Sequence, residues 1–255
     1  MSFPVVHEAR TDTGAPPLVL LHGGNVANWM WEPQLAEFTD RTVITPDLPG
    51  FGARTGEDWP GLDAVADDVV ARMDGPFDLV GLSLGAVTAL RVLARHPDRV
   101  RSAFLTGAPL TPAGVSVRLL TRLQLALWRA RWFWRAQATA FGLPADSREL
   151  YVTHGLSVRR ETAFAMYTEV CAGGVPANLG DYSGPLLAIA GEKESAAVRE
   201  SLALVAEAAP QARLRLAPGM RHIWNVEDSG LFNEVLRAWL AGSIDPRFLE
   251  TVTGR

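Results

Sequence analysis

The amino-acid sequence predicts an α/β protein, in which a mostly parallel central sheet is flanked by helices and a helical cap is inserted between core strands. Three observations carry this prediction. Short apolar runs alternate with longer stretches of helical periodicity. Between Ala108 and Gly184 that rhythm breaks, and the chain becomes rich in arginine, alanine and aromatics with no strand pattern. A strand–turn–helix signature, Gly81-Leu82-Ser83-Leu84-Gly85, follows the apolar run Phe77-Asp78-Leu79-Val80.

Taken in order, Pro17 to Leu21 reads as the first strongly buried strand and ends at His22-Gly23-Gly24. Thr42 to Thr45 is the second, closed by Pro46-Asp47 and the turn-rich run Leu48-Pro49-Gly50-Phe51-Gly52. Valines and alanines at helical spacing make an amphipathic helix between Gly61 and Met73. Phe77 to Val80 is a strand, Ser83 to His96 the helix behind it, and Val100 to Thr106 the next strand. Pro185 to Ala190 and Ala212 to Leu216 are two late strands separated by a helix from Ala196 to Ala209. A helix from Ser229 to Leu240 closes the core. The core is therefore assigned to residues 1–109 and 182–255, and the cap, two to four helices, to residues 110–181.

Composition narrows the function classes. Apolar residues make up 48% and charged residues 20% of the 255, which is a globular balance. A net charge of −4 lacks the basic footprint of a nucleic-acid binder. The lone Cys171 cannot form an internal disulfide, fits a reducing compartment, and reads as a small packed residue rather than a catalytic thiol. The first ten residues lack a leader-length apolar run, and no stretch is long enough to span a membrane, so the expected location is cytoplasmic with no stable membrane insertion.

The chemistry centres on Ser83. Glycines two residues either side allow a sharp turn that lifts the hydroxyl off the sheet, and they let strand and helix approach closely. The Leu84 amide, opening the next helix, can face a developing oxyanion. A serine hydroxyl needs an adjacent base oriented by a third group. His222 fits the base, since it follows the last core strand through Ala217-Pro218-Gly219-Met220-Arg221. After the strand ending at Ala190 the chain reads Gly191-Glu192-Lys193-Glu194, which offers two carboxylates for the third role. No histidine has a metal-ligand companion at a usual spacing, and neither nucleotide-binding glycine fingerprint is present, so no metal or cofactor is expected.

These stretches together, His22-Gly23-Gly24, Asp47 to Gly52, Gly81 to Gly85, Gly191 to Glu194 and Pro218 to His222, resemble the α/β-hydrolase fold family over nearly the whole chain apart from the insertion. The resemblance implies Ser83 as nucleophile, His222 as base, and an oxyanion hole from the Gly24 and Leu84 amides. It implies an acid three residues after Gly191, where Glu194 replaces the usual aspartate, with Glu192 as competitor. His22 and Asp47 are expected to brace their loops. The implied activity is cleavage of an ester-like bond (ester, lactone or thioester) of a small, largely apolar substrate through an acyl-enzyme. Acyl transfer, carbon–carbon bond hydrolysis and non-catalytic ligand binding are alternatives on the same residues.

The cap sets specificity. From Val115 to Phe141 it carries Arg118, Arg122, Arg129, Arg131 and Arg135 with Trp128, Trp132, Phe133 and Trp134 and no acidic residue. The segment reads as a cap helix with solvated arginines, as an attractor for anionic substrates, or as a membrane-surface helix. Trp29, Trp128, Trp132 and Trp224 are candidate pocket residues, with Trp29 and Trp31 alternatively packing the first helix. Leu123, Leu127, Phe141, Tyr151, Phe164 and Met166 suggest an apolar acyl or ring site.

Overall fold

The computed structural model describes residues 6–9, 14–143 and 145–250. The reading of the first ten residues therefore falls largely outside the described residues. Eight strands form one sheet among them: β1 (Val6–Ala9), β2 (Leu18–Leu21), β3 (Val43–Pro46), β4 (Phe77–Leu82), β5 (Val100–Thr106), β6 (Leu186–Gly191), β7 (Arg213–Ala217) and β8 (Leu249–Glu250). Their spatial order is β1-β3-β2-β4-β5-β6-β7-β8. The six from β3 to β7 run parallel, while β1 and β8 pair antiparallel at the edges.

Parallel strands covered on both faces need apolar side chains on both faces, which is why β2 and β6 read as unbroken apolar runs and β4 departs from one only at Asp78. All their residues are buried. The two antiparallel edge strands lack that signal and were not expected from the sequence. Around the sheet lie α1 (Glu32–Glu37), α2 (Leu62–Ala71), α3 (Leu84–Arg95), α8 (Ala196–Ala208), α9 (Trp224–Glu227) and α10 (Ser229–Leu240). Asp228 caps α10 by accepting the Leu231 amide at 3.0 Å.

Among the described residues, four α-helices stand between β5 and β6: α4 (Val115–Ala126), α5 (Arg131–Ala140), α6 (Ala145–Ser157) and α7 (Arg160–Ala172). Their common core is aromatic. Trp128 and Trp134 meet edge to face at 4.7 Å, and Trp134 packs on Tyr151. Gly155 permits the close crossing, because a Cβ there would lie 2.5 Å from the Trp134 ring. The insertion docks on the core through Glu169, whose carboxylate accepts the Trp59 indole N–H at 2.5 Å and the Leu62 amide at 3.1 Å.

Candidate active site

Strand order reverses between β2 and β4, since the chain leaves β2 toward β3 on one side and returns to β4 on the other. In open α/β sheets such a switch point opens a crevice at the carboxyl ends of the strands. The loop Gly23-Gly24-Asn25 after β2 and Ser83 after β4 stand on its two sides. Ser83 adopts φ 56° and ψ −114°, a conformation that non-glycine residues avoid. Among the described residues only Asn25 (φ 62°) shares a positive φ without being glycine. Both outliers therefore face one crevice, which is where strain is expected to be retained for a purpose.

The glycines explain how the turn is made. A Cβ on Gly85 would lie 2.0 Å from the Leu21 carbonyl oxygen, and one on Gly81 would lie 2.4 Å from the Gly85 oxygen. Helix α3 can thus start directly against β2 and β4, with Ser83 at its N-cap. The Leu84 amide belongs to the first turn, where N–H groups have no partner within the helix. Gly24 lies beside it, since its Cβ position is 3.9 Å from the Leu84 Cβ.

The carboxylate and imidazole come from the far strands. Glu194 is almost fully buried, its side chain 2% exposed, and Oε1 is hydrogen-bonded to His222 Nδ1. Oε2 accepts the Gly191 amide at 2.6 Å, which fixes the carboxylate plane. Glu192 points elsewhere and accepts the Gly219 amide at 2.7 Å on an exposed turn. Gly107, at φ 64°, floors the pair: a Cβ there would stand 3.0 Å from the imidazole and 3.1 Å from Glu194 Oε1. Nothing in the sequence pattern singled Gly107 out.

Ser83, His222, Gly24 and Leu84 all open into one cavity of about 190 Å³. Its outer wall is contributed by the insertion through Phe141, Tyr151, Met166, Tyr167 and Val170. Tyr167, missed in the sequence, joins the insertion to the loop after β2. Its oxygen accepts the Asn25 side-chain amide at 2.5 Å and the Gln124 amide at 2.7 Å. Burial raises the Tyr167 pKa, so the phenol stays neutral.

The four candidate tryptophans do not line this cavity. Trp224 is buried between Phe104 and Phe232 and donates to Thr106 Oγ1 at 2.8 Å. Trp128 donates to the Val158 carbonyl inside the insertion, Trp29 is buried in the core cluster, and Trp132 is largely exposed. Trp128 and Trp224 sit where their ring area is buried and their N–H finds an acceptor. Trp31 is likewise fully buried, against Phe232. Of the apolar set expected at the site, Phe141, Tyr151 and Met166 face the cavity, whereas Leu123 and Phe164 point to solvent and Leu127 is half-buried.

His22 and Asp47 sit under the loops rather than in the cavity. His22 Nε2 accepts the Leu48 amide at 3.0 Å and Nδ1 lies 2.7 Å from the Gly23 carbonyl, so Nδ1 carries the proton. Burial lowers the His22 pKa. Asp47 accepts the Asn28 and Ala53 amides at 2.8 and 2.9 Å. Cys171 is only half-buried, between α4 and α7, rather than packed in the core. Among the described residues no group of three His, Cys, Asp or Glu side chains is placed to hold a metal ion, and no helix is long and apolar enough to cross a membrane.

This sheet order, with a serine at the β4–α3 turn and an imidazole–carboxylate pair after β7 and β6, defines the class of α/β-fold hydrolases. The chain belongs to the alpha/beta hydrolase family, whose profile matches residues 18–235. It is 37% identical over 90 residues to a pimeloyl-[acyl-carrier protein] methyl ester esterase of Neisseria meningitidis, 35% of either chain. It is 38% identical over 130 residues to a 2-hydroxymuconate semialdehyde hydrolase of a Pseudomonas species, covering 46% of this chain and 44% of that one. The match thus spans about a third to under half the length of these relatives. In fold it is similar to the enol-lactonase of Burkholderia xenovorans, with TM-score 0.79 and 20% identity over 92% of this chain and 95% of that one.

Proposed function

We propose that the protein is a serine hydrolase that cleaves an ester-like bond of a small, largely apolar substrate. The observation that carries this reading is the convergence of Ser83, in its strained turn, and the Glu194–His222 pair on one cavity. In the proposed cycle Ser83 Oγ attacks the carbonyl carbon while His222 Nε2 takes its proton. Glu194 accepts the Nδ1–H, holding the imidazole in the required tautomer and stabilising the imidazolium. The Gly24 and Leu84 amides receive the oxyanion, a contribution of about 2.7–4 kcal/mol per donor in comparable sites. His222 then protonates the leaving alcohol or thiol, and water releases the acyl group by the same steps in reverse roles.

A cavity of about 190 Å³ with an outer wall of Phe141, Met166 and Val170 supports a compact apolar acyl group. The helices from α4 to α7 act in this reading as the cap over the site. The partial likeness to a methyl ester esterase supports the bond type. The test is Ser83→Ala assayed on small esters, lactones and thioesters, alongside labelling by a serine-directed phosphonate. Turnover and labelling are both expected to vanish; undiminished turnover in the variant overturns the mechanism.

A further inference from the structure

Helix α4 is built inside out. A helix on a globular surface normally buries its apolar stripe and exposes its polar one. The inward side of α4 instead carries Thr121 and Gln124, the latter bonded to Tyr167, and Leu125 is its single buried residue. Outward stand Val115, Leu119, Leu120 and Leu123, which are 86, 64, 63 and 52% exposed. Val115, Leu119 and Leu123 follow at i, i+4 and i+8, so they form one stripe along the helix. Arg118 and Arg122 run beside that stripe, one turn apart, and Phe164 of α7 is exposed across the groove from them.

The charge is as lopsided as the hydrophobicity. Residues 115–145 hold five arginines and no acidic residue, in a chain whose net charge is −4. Arg131 is paired with Glu149, and Arg118 uses its Nε on the Ala113 carbonyl. Among the described residues Arg122, Arg129 and Arg135 have no acidic partner. The groove between α4 and α7, about 350 Å³, has Arg118 and Arg122 on one wall and Phe164 and Thr168 on the other. A phosphodiester headgroup fits that mixture of guanidinium, hydroxyl and apolar surface.

We infer that this face docks on an anionic phospholipid surface, with α4 lying in the interface plane. Val115, Leu119, Leu120 and Leu123 enter the acyl boundary while Arg118 and Arg122 meet the phosphates. Four aliphatic side chains flanked by Arg118 and Arg122 match a fluid surface that is apolar below and anionic above. Docking with α4 in the interface plane is superficial, and it is independent of the hydrolytic reading because vesicle binding needs no turnover.

The experiment is flotation of the full chain with vesicles of phosphatidylcholine, with or without roughly a third phosphatidylglycerol. The native protein should float with the anionic vesicles at low salt and be released by high salt. Arg118→Gln/Arg122→Gln should weaken binding about fivefold per arginine. Leu119→Ser/Leu123→Ser should weaken it by about tenfold or more, with an unchanged circular-dichroism spectrum and thermal midpoint as the check on folding. A native protein that stays in solution with both vesicles overturns the inference, as does a leucine variant that binds like the parent. Capture of an acidic protein without vesicle binding overturns it in favour of protein docking.

Discussion

Glu194 and His222 meet across the carboxyl ends of β6 and β7, carboxylate Oε1 against imidazole Nδ1, with the Gly191 amide holding Oε2 at 2.6 Å. Glu192, two residues earlier, is spent on the Gly219 amide at the surface. Glu194→Gln preserves size but replaces an acceptor by an amide that can hold the wrong imidazole tautomer. It is expected to lower kcat on the order of 10⁴-fold, whereas Glu192→Gln should leave kcat near the parent value. Steady-state kinetics of the two variants decide, and the opposite ranking would assign the acid to Glu192.

That choice marks the boundary of what the sequence carried. The six parallel strands were legible because burial on both faces demands largely apolar runs, strictest in β2 and β6 and relaxed in β5 and β7, which carry Arg101, Arg213 and Arg215. Val6–Ala9, which includes His7 and Glu8, and the two-residue β8 sit on edges where no such demand exists. Ser83, His222 and the acid-bearing loop were legible as a chain order, but which of two glutamates turns inward is a side-chain direction. The cavity wall was legible only in part: Phe141, Tyr151 and Met166 line it as their apolar character suggested, but the candidate tryptophans do not. Trp224 and Trp128 look like ligand-binding residues in a sequence, yet their indoles are taken by Thr106 and Val158. Tyr167 and Asn25 lie 142 residues apart and are joined only by the fold.

Gly107 offers a steric test of the pair. At φ 64° an added methyl is strained by about 1–2 kcal/mol, and it would press on His222 and Glu194 at 3.0–3.1 Å. Gly107→Ala is expected to fold with a modest loss in melting temperature while kcat falls at least about tenfold, the effect of a sub-ångström displacement of the proposed base His222. Circular dichroism with kinetics checks it; a variant with full kcat would show that the pair tolerates displacement.

Tyr167→Phe removes one oxygen that satisfies two amides. Asn25 and Gln124 would each lose a buried acceptor, at a cost of about 1–3 kcal/mol apiece. Because Asn25 follows Gly24 directly and holds φ 62°, loosening it should also disturb the amide proposed for the oxyanion. The expected result is a lower kcat with KM for a small ester little changed, together with a lower urea midpoint. An unaltered kcat at lower stability would confine Tyr167 to a structural role.

His154 makes stability depend on acid. Burial pushes its imidazole down to about 3 from an ordinary 6.5, with His22 opposing its charge further, and among the described residues its buried Nε2 has no partner. The folded chain therefore keeps His154 neutral where the unfolded chain protonates it. Unfolded molecules bind the extra proton below pH 6.5, so the contribution is complete above that value and is lost progressively as pH falls toward 3. The slope is about 1.4 kcal/mol per pH unit. His154→Phe abolishes this linkage while keeping an aromatic ring in the site. Urea midpoints at neutral pH and at about pH 5 should therefore draw together for parent and variant, or cross in the variant's favour. Parallel curves would mean that His154 takes up a proton in the folded protein as readily as in the unfolded chain.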